Sequence, residues 1–262
     1  MAKKRRRRRP NEYGELYSEY YFCTQPSFLE IRLGYALIPL VDKECGAELL
    51  EEITKVRNKI DAEYGITIPK ISIHDDMNNE PYEYAIYLYG NRICSGEIRM
   101  GYTMCLNLGA VEPSDKEVKA DKAIDPVYGN AGYWIPADTP EEKELENLGY
   151  VLVEPAGIIR EHLEKIIKEN TTKVLNQSLV NLLINKVRPS NPDVIDDIFF
   201  NHQFPTSSMK KVLNLLLSEK YSIRDMNTIL ETIADNISQS QNLEFLVEKI
   251  KEQLPEPVVE KD

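Results

Sequence analysis

A chain of 262 residues with 42% hydrophobic and 29% charged residues has the balance of a globular protein, with enough apolar mass for a core spread over more than one lobe. Its longest apolar runs, such as Ala36 to Val41, fall far short of the ~20 residues a membrane-spanning helix needs, and no apolar stretch follows the basic start, which excludes a secretory signal. The net charge of −11 hides an asymmetry: Lys3 to Arg9 are all basic, so the rest of the chain carries −18 and repels nucleic acid and anionic lipid, while the tip attracts both.

In chain order, residues 1–27 read as a basic, tyrosine-rich arm, with little fixed structure expected before about Phe28. Leu29 to Val41 fits a strand that Pro39 confines to an edge or ends. Cys45 to Tyr64 fits an amphipathic helix, its stripe made by Leu49, Leu50, Ile53, Val56 and Ile60, and Gly65 is placed to stop it. Ile68 to His74 alternates as a strand, Tyr82 to Tyr89 and Arg92 to Ile98 form a hairpin around Gly90-Asn91, and Tyr102 to Leu108 is a further strand. The stretch from Ala110 to Asp138 is rich in Pro, Gly and charge, with sticky pieces at Ile124 to Tyr128 and Tyr133 to Ile135, and reads as an inserted lobe with few regular elements. Glu141 to Leu148 is a short helix and Tyr150 to Val153 a strand. Beyond Pro155, which suits a first helical turn, helices are expected over an apolar stripe at Ile158, Ile159, His162, Leu163, Ile166 and Ile167, then near Ser178–Val187, Pro192–Phe200, Thr206–Ser218, Ile223–Ile237 and Asn242–Leu254. Ser222 to Asp225 has the form of a capping box, and the end, PEPVVEKD, reads as frayed.

Chemistry-bearing motifs are missing. There is no phosphate-binding G-x-x-x-x-G-K-[ST], no G-x-G-x-x-G, no H-E-x-x-H, and no serine or cysteine in a nucleophile context. The four cysteines, Cys23, Cys45, Cys94 and Cys105, and the three histidines lie too far apart in sequence for a zinc motif, and reduced thiols are expected. His74-Asp75-Asp76 reads as a polar turn after a strand. Neither cofactor, metal nor catalytic residue is called for, and the chain is read as no enzyme.

Four segments in one order carry more information: LIPLVD (Leu37 to Asp42), HDDM (His74 to Met77), IDPVYG (Ile124 to Gly129) followed by YWI (Tyr133 to Ile135), and IRDMNTILETIAD (Ile223 to Asp235). Together they resemble the FHIPEP family, the cytoplasmic part of the export-gate protein of flagellar and type III secretion, over about Phe28 to Leu254. The resemblance implies an α+β fold: a ferredoxin-like or RRM-like sandwich (28–100 plus 152–172), a small inserted subdomain (101–151), an all-α helical bundle (173–254) and a frayed tail (255–262). It matches three of the family's four cytoplasmic lobes and none of its membrane half; Met1 followed by KKRRRRR reads as a natural start, and the chain as a truncated, stand-alone version.

The resemblance also implies a role. The family's cytoplasmic part docks export chaperones, secretion substrates and other export-apparatus proteins, and its members form rings, so a weak homo-oligomer is expected here. Its chaperone site is a dimple between the first two lobes, with an Asp and an aromatic that fall at Asp125 and Tyr128, and a third position that falls at Glu161. An exposed aromatic supplies an anchor and a carboxylate fixes orientation; alternatively, Asp125 and Tyr128 simply turn and pack a loop. Trp134, the single tryptophan, reads as a core plug of the inserted lobe rather than an exposed anchor, and Arg224, Asp225 and Glu231 as residues fixing helix packing. Lys3, Lys4, Arg5, Arg6, Arg7, Arg8 and Arg9 can touch anionic lipid or phosphate, or remain a solvated leader; the protein is expected in the cytoplasm, peripheral at the inner face of the cytoplasmic membrane if the arm meets lipid. A rival reading is a nucleic-acid binder using the arm and a sheet face with Tyr82, Tyr84, Tyr87 and Tyr89; parity puts these on both faces, and the acidic body opposes phosphate, so nucleic acid is the lesser expectation. A third is an adaptor with no role in secretion.

Overall fold

The computed structural model describes residues 27–109 and 120–258; the basic arm and the last four residues, for which little fixed structure is expected, lie outside them. The chain is a mixed α/β fold with two small sheets followed by helices. Sheet A runs in the order β2-β1-β3-β4, with β1 Leu29–Leu33, β2 Ser72–Asp75, β3 Glu83–Leu88 and β4 Asn91–Glu97. The antiparallel register sets Leu29, Ile31 and Leu33 opposite Leu88, Ile86 and Tyr84. Alternation puts these six on one face, and all are buried. Helix α1 (Glu48–Tyr64) buries Leu49, Ile53, Val56, Ile60 and Tyr64 in the same core.

The strand expected over Leu29 to Val41 ends at Leu33. A side chain at Gly34 would lie 2.1 Å from the Glu80 carbonyl oxygen, so the chain passes close there and turns. Tyr35–Leu40 then forms a 3₁₀ helix that buries Leu37 and Leu40 and exposes Tyr35 and Ile38. The three-residue repeat of that helix sorts the same apolar run that also suited a strand. The strand expected over Ile68 to His74 shrinks to Ser72–Asp75, because Ile66, Ile68 and Ile71 are buried along an irregular segment instead. The β3–β4 turn is centred on Tyr89-Gly90, one residue earlier than expected, with φ of 50° and 77°. Tyr89 holds this left-handed conformation while its ring packs edge-on against Phe28 and its hydroxyl donates to the Lys173 carbonyl at 2.9 Å.

Sheet A is not laid out as a split β-α-β: β1 and β2 are adjacent and parallel, whereas that motif has a strand between its parallel pair. The stretch expected to hold few regular elements contributes two strands to a second sheet. Sheet B runs β6-β7-β5-β8, all antiparallel, with β5 Tyr102–Leu106, β6 Asp121–Ile124, β7 Ala131–Pro136 and β8 Val151–Val153, and α2 (Pro140–Asn147) lies beside it. Trp134 is 6% exposed and sits opposite Met104 across β5–β7. That face, with Leu106, Val127 and Val153, joins the main core. The other face, Cys105 and Ile135, builds a small core of its own with Leu145 of α2.

Helix α3 (Pro155–Glu169) starts with Pro155 at its first turn and packs along α1. The helices α4 (Thr171–Val174), α5 (Gln177–Val187), α6 (Pro192–Asp196), α7 (Thr206–Ser218), α8 (Met226–Ile237) and α9 (Leu243–Lys251) follow, with a π turn over Asp197–Asn201 after α6. Asn176, Asp225 and Asn242 cap α5, α8 and α9 by accepting the Leu179, Thr228 and Phe245 N–H groups. Asp225 is therefore the cap itself, and the capping box expected from Ser222 does not form. The Arg224 guanidinium reaches the Ala62 carbonyl at the end of α1, and Gly65 lies so close that a Cβ there would be 2.4 Å from the Arg224 backbone. The tail expected to fray returns to the bundle as far as Val258, whose N–H donates to the Lys220 carbonyl at 2.9 Å.

Candidate docking site

The segment Ile124-Asp-Pro-Val-Tyr-Gly leaves the end of β6 and returns as β7. Asp125 organises it. Its Oδ1 accepts the Val127 N–H at 2.9 Å and its Oδ2 accepts the Tyr128 N–H at 3.1 Å. Its backbone carbonyl accepts the Gly129 N–H, and its own N–H donates to the Asn130 carbonyl. Gly129 supplies the positive φ of 77° that closes the turn. Asp125 is only 3% exposed, so its carboxylate shapes the loop and does not face a partner directly. Tyr128 has the opposite fate: the same turn points it outward, 62% exposed, beside Ile124 at 73%. A locked backbone thus presents two apolar side chains to solvent.

Helix α3 lies against the loop. The Lys165 ammonium donates to the Val127 carbonyl at 2.7 Å and lies 4.8 Å from the centre of the Tyr128 ring. One turn earlier, half-buried Glu161 pairs with Arg160 at 2.9 Å. Burial pushes the Glu161 carboxyl above the usual carboxylate range, Arg160 opposes this, and Asp125 and Glu164 add to it. Burial first, then Glu161 and Glu164, also raises the Tyr128 phenol, and Lys168 opposes this. Beneath the loop, Tyr84 of β3 and His162 of α3, both buried, share a 2.8 Å hydrogen bond. A Cβ at Gly96 of β4 would sit 2.7 Å from both the Tyr84 hydroxyl and Pro126, so the loop rests against sheet A.

Asp125, Tyr128 and Glu161 therefore meet around one loop and one helix face, although only Tyr128 is strongly exposed. Sequence reasoning missed Lys165, Tyr84 and His162 as members of the site. Lys165 was within reach, since it lies four residues from Glu161 on the same helix face. Elsewhere, the four tyrosines of the nucleic-acid reading make no stacking platform. Tyr84 is buried, Tyr87 is covered by Arg32 at 4.0 Å, and Glu30, Arg32 and Glu83 share the Tyr87 face. His74 and Asp75 close β2, and Asp76 pairs with Arg32 at 3.4 Å. Among the described residues, no group of three or more His, Cys, Asp or Glu side chains could hold a metal, and no helix is long and apolar enough to cross a membrane. Lys3, Lys4, Arg5, Arg6, Arg7, Arg8 and Arg9 lie outside the described residues.

Against known proteins, the FHIPEP family profile matches residues 2–262. The flagellar biosynthesis protein FlhA of Treponema pallidum is 36% identical over 228 residues, which is 86% of this chain and 31% of that protein. FlhA of Borreliella burgdorferi is 34% identical over 224 residues, again 86% of this chain and 31% of that protein. The chain thus spans about a third of the length of these relatives. Among solved structures, CdsV in the Chlamydia pneumoniae CdsV and CdsO complex superposes with a TM-score of 0.73 at 21% identity, covering 86% of this chain and 69% of that one. The nonameric SctV-C of EPEC gives 0.63 at 18% identity, covering 87% and 65%. These two likenesses show the fold.

Proposed function

The chain belongs to the FHIPEP family, and on that premise we propose that it is a non-enzymatic docking platform for type III protein export, binding export chaperones, secretion substrates or other export components at the Asp125–Gly129 loop. Tyr128 is the anchor, Asp125 holds it in place, and Glu161 sets the charge at the rim. One observation carries this reading: a buried, fully engaged aspartate holds a tyrosine 62% exposed next to an isoleucine 73% exposed. A turn that served packing alone would bury the tyrosine. Exposed aromatic anchors of this kind carry much of an interface's energy, with truncation often costing about 2 kcal/mol or more. That a structural neighbour was solved bound to CdsO supports a component of the apparatus as one class of partner, and the nonameric neighbour supports a ring-type homo-oligomer.

Sheet A with α1 and α3 is read as a variant of a ferredoxin-like lobe (28–100 plus 152–172), carrying the insert 101–151 and followed by the bundle 173–254. Contact of Lys3–Arg9 with anionic membrane belongs to the same proposal. Because the chain corresponds to about a third of its FlhA relatives, gate activity is no part of it. The test is calorimetric titration of the purified protein with an export chaperone from the same genome. Tyr128→Ala is expected to weaken binding by at least roughly tenfold and leave Tm unchanged within about 2 °C. Parallel loss of melting temperature and affinity would make Tyr128 a packing residue and end the reading.

A further inference from the structure

The strongest feature the docking role has not absorbed lies beneath the loop. Tyr84 is 0% exposed and His162 5%, and they are linked by a 2.8 Å hydrogen bond and an edge-on ring contact. They come from the two elements on which the loop rests: β3 beside Gly96, where Pro126 and the Tyr84 hydroxyl crowd the same small space, and α3, whose Lys165 holds the Val127 carbonyl one turn from His162. An apolar pair would pack there without the cost of burying two polar groups. What the hydrogen bond adds is direction: it fixes the hydroxyl against Gly96 and Pro126, and so fixes the distance between sheet and helix on which the loop sits.

We propose that Tyr84 and His162 are positioning residues that hold the Asp125–Gly129 loop in the pose presenting Tyr128. The inference deepens the docking reading and rests on it for its consequence, but its test reads the loop itself. A neutral His162 with its proton on Nε2 accepts the Tyr84 hydroxyl at Nδ1. A second proton turns Nδ1 into a donor, so the Tyr84 hydroxyl proton loses this acceptor and must turn away from the ring. The charged and titratable groups around the ring are Tyr84 on β3, Cys94 on β4 (through Tyr84), Asp125 in the loop, and Lys165 and Glu169 on α3. Burial first, then Lys165, favours the neutral ring, and Asp125 and Glu169 oppose this. A histidine held below its usual range contributes in full above that range and loses its contribution as pH falls through it.

The experiment is residue-resolved hydrogen exchange on the full chain, comparing the Val127, Tyr128 and Gly129 amides with those of β5 and β7, and with Trp134 emission reporting on sheet B. Tyr84→Phe is expected to lower loop protection roughly three- to tenfold, the scale of one hydrogen bond, with the β5 and β7 amides unchanged. Between about pH 7.5 and about pH 5, wild-type loop protection, corrected for intrinsic rates, is expected to fall relative to the sheet. His162→Asn, which keeps an acceptor near the Nδ1 position but does not titrate, is expected to retain the protection and flatten that pH profile. The proposal is overturned if Tyr84→Phe leaves the loop within about twofold of wild type, if loop and sheet amides loosen together, or if the profile is the same in His162→Asn. Should Tyr84→Phe fail to fold, the His162→Asn profile decides alone.

Discussion

The helical half and the sheet-B region handle apolar surface in opposite ways. From Thr171 onward the helices bury Val180, Ile195, Met209, Leu213, Ile229, Ile233 and Leu246 almost completely, and among the described residues there only Leu182 and Phe200 remain as large exposed apolar side chains. The shorter sheet-B lobe exposes Tyr102, Leu108, Ile124, Tyr128, Leu148 and Val151. The first region is built to hold itself together. The second spends stability on surface, and it does so around the Asp125–Gly129 loop, whose backbone N–H groups are all hydrogen-bonded. Exposed apolar side chains on a fixed backbone are what a partner can bind without first ordering the site.

Substitutions can break this contrast. The largest effect is expected in the bundle: Ile229→Ala, at a residue with no exposure, should cost about 2–5 kcal/mol in denaturant unfolding. A loss under about 1 kcal/mol would show a loosely packed bundle and erase the contrast. Next is Gly65→Ala, at the junction of α1 with Arg224. A φ of 73° and a 2.4 Å approach to backbone leave no room for a methyl group, so a loss of roughly 2 kcal/mol or more is expected. Asp225→Ala removes the α8 cap and should cost about 1 kcal/mol, whereas Ser222→Ala should cost little, which separates the observed cap from the expected one. The smallest stability effect belongs to Tyr128→Ala, within about 0.5 kcal/mol of wild type, as for a surface side chain. Thiol chemistry sharpens the picture further: burial pushes Cys94 and Cys105 up to about 11, so at mildly alkaline pH exposed Cys45 should be alkylated well before either, as followed by peptide mass mapping.

Much of this was readable before any coordinates, and the gaps have physical causes. Helix α1 and its stop at Gly65 were written in a repeating stripe, and Trp134 in its apolar neighbours. Local signals failed where two conformations use the same residues. The run from Gly34 to Leu40 suits a strand until Gly34 passes the Glu80 carbonyl, and the hairpin turn shifts to Tyr89-Gly90 because Phe28 and Lys173 hold Tyr89 from outside the hairpin. The loop at Asp125 was legible as an aspartate-proline turn, but which of its residues faces outward was not, since that depends on Lys165 and on Gly96. The Tyr84–His162 contact joins residues 78 apart in sequence, and no local pattern announces it.

On the proposed function, partners meet this protein at the Asp125–Gly129 loop beside sheet B and not on the helices after Thr171. Replacing Tyr128, and in a second protein Phe200, with a photo-crosslinking amino acid in the native host compares the two most exposed aromatics of the two regions directly. Adducts with export chaperones or apparatus proteins from position 128, and none from position 200, are the predicted result. Adducts from position 200 with none from position 128 would contradict it.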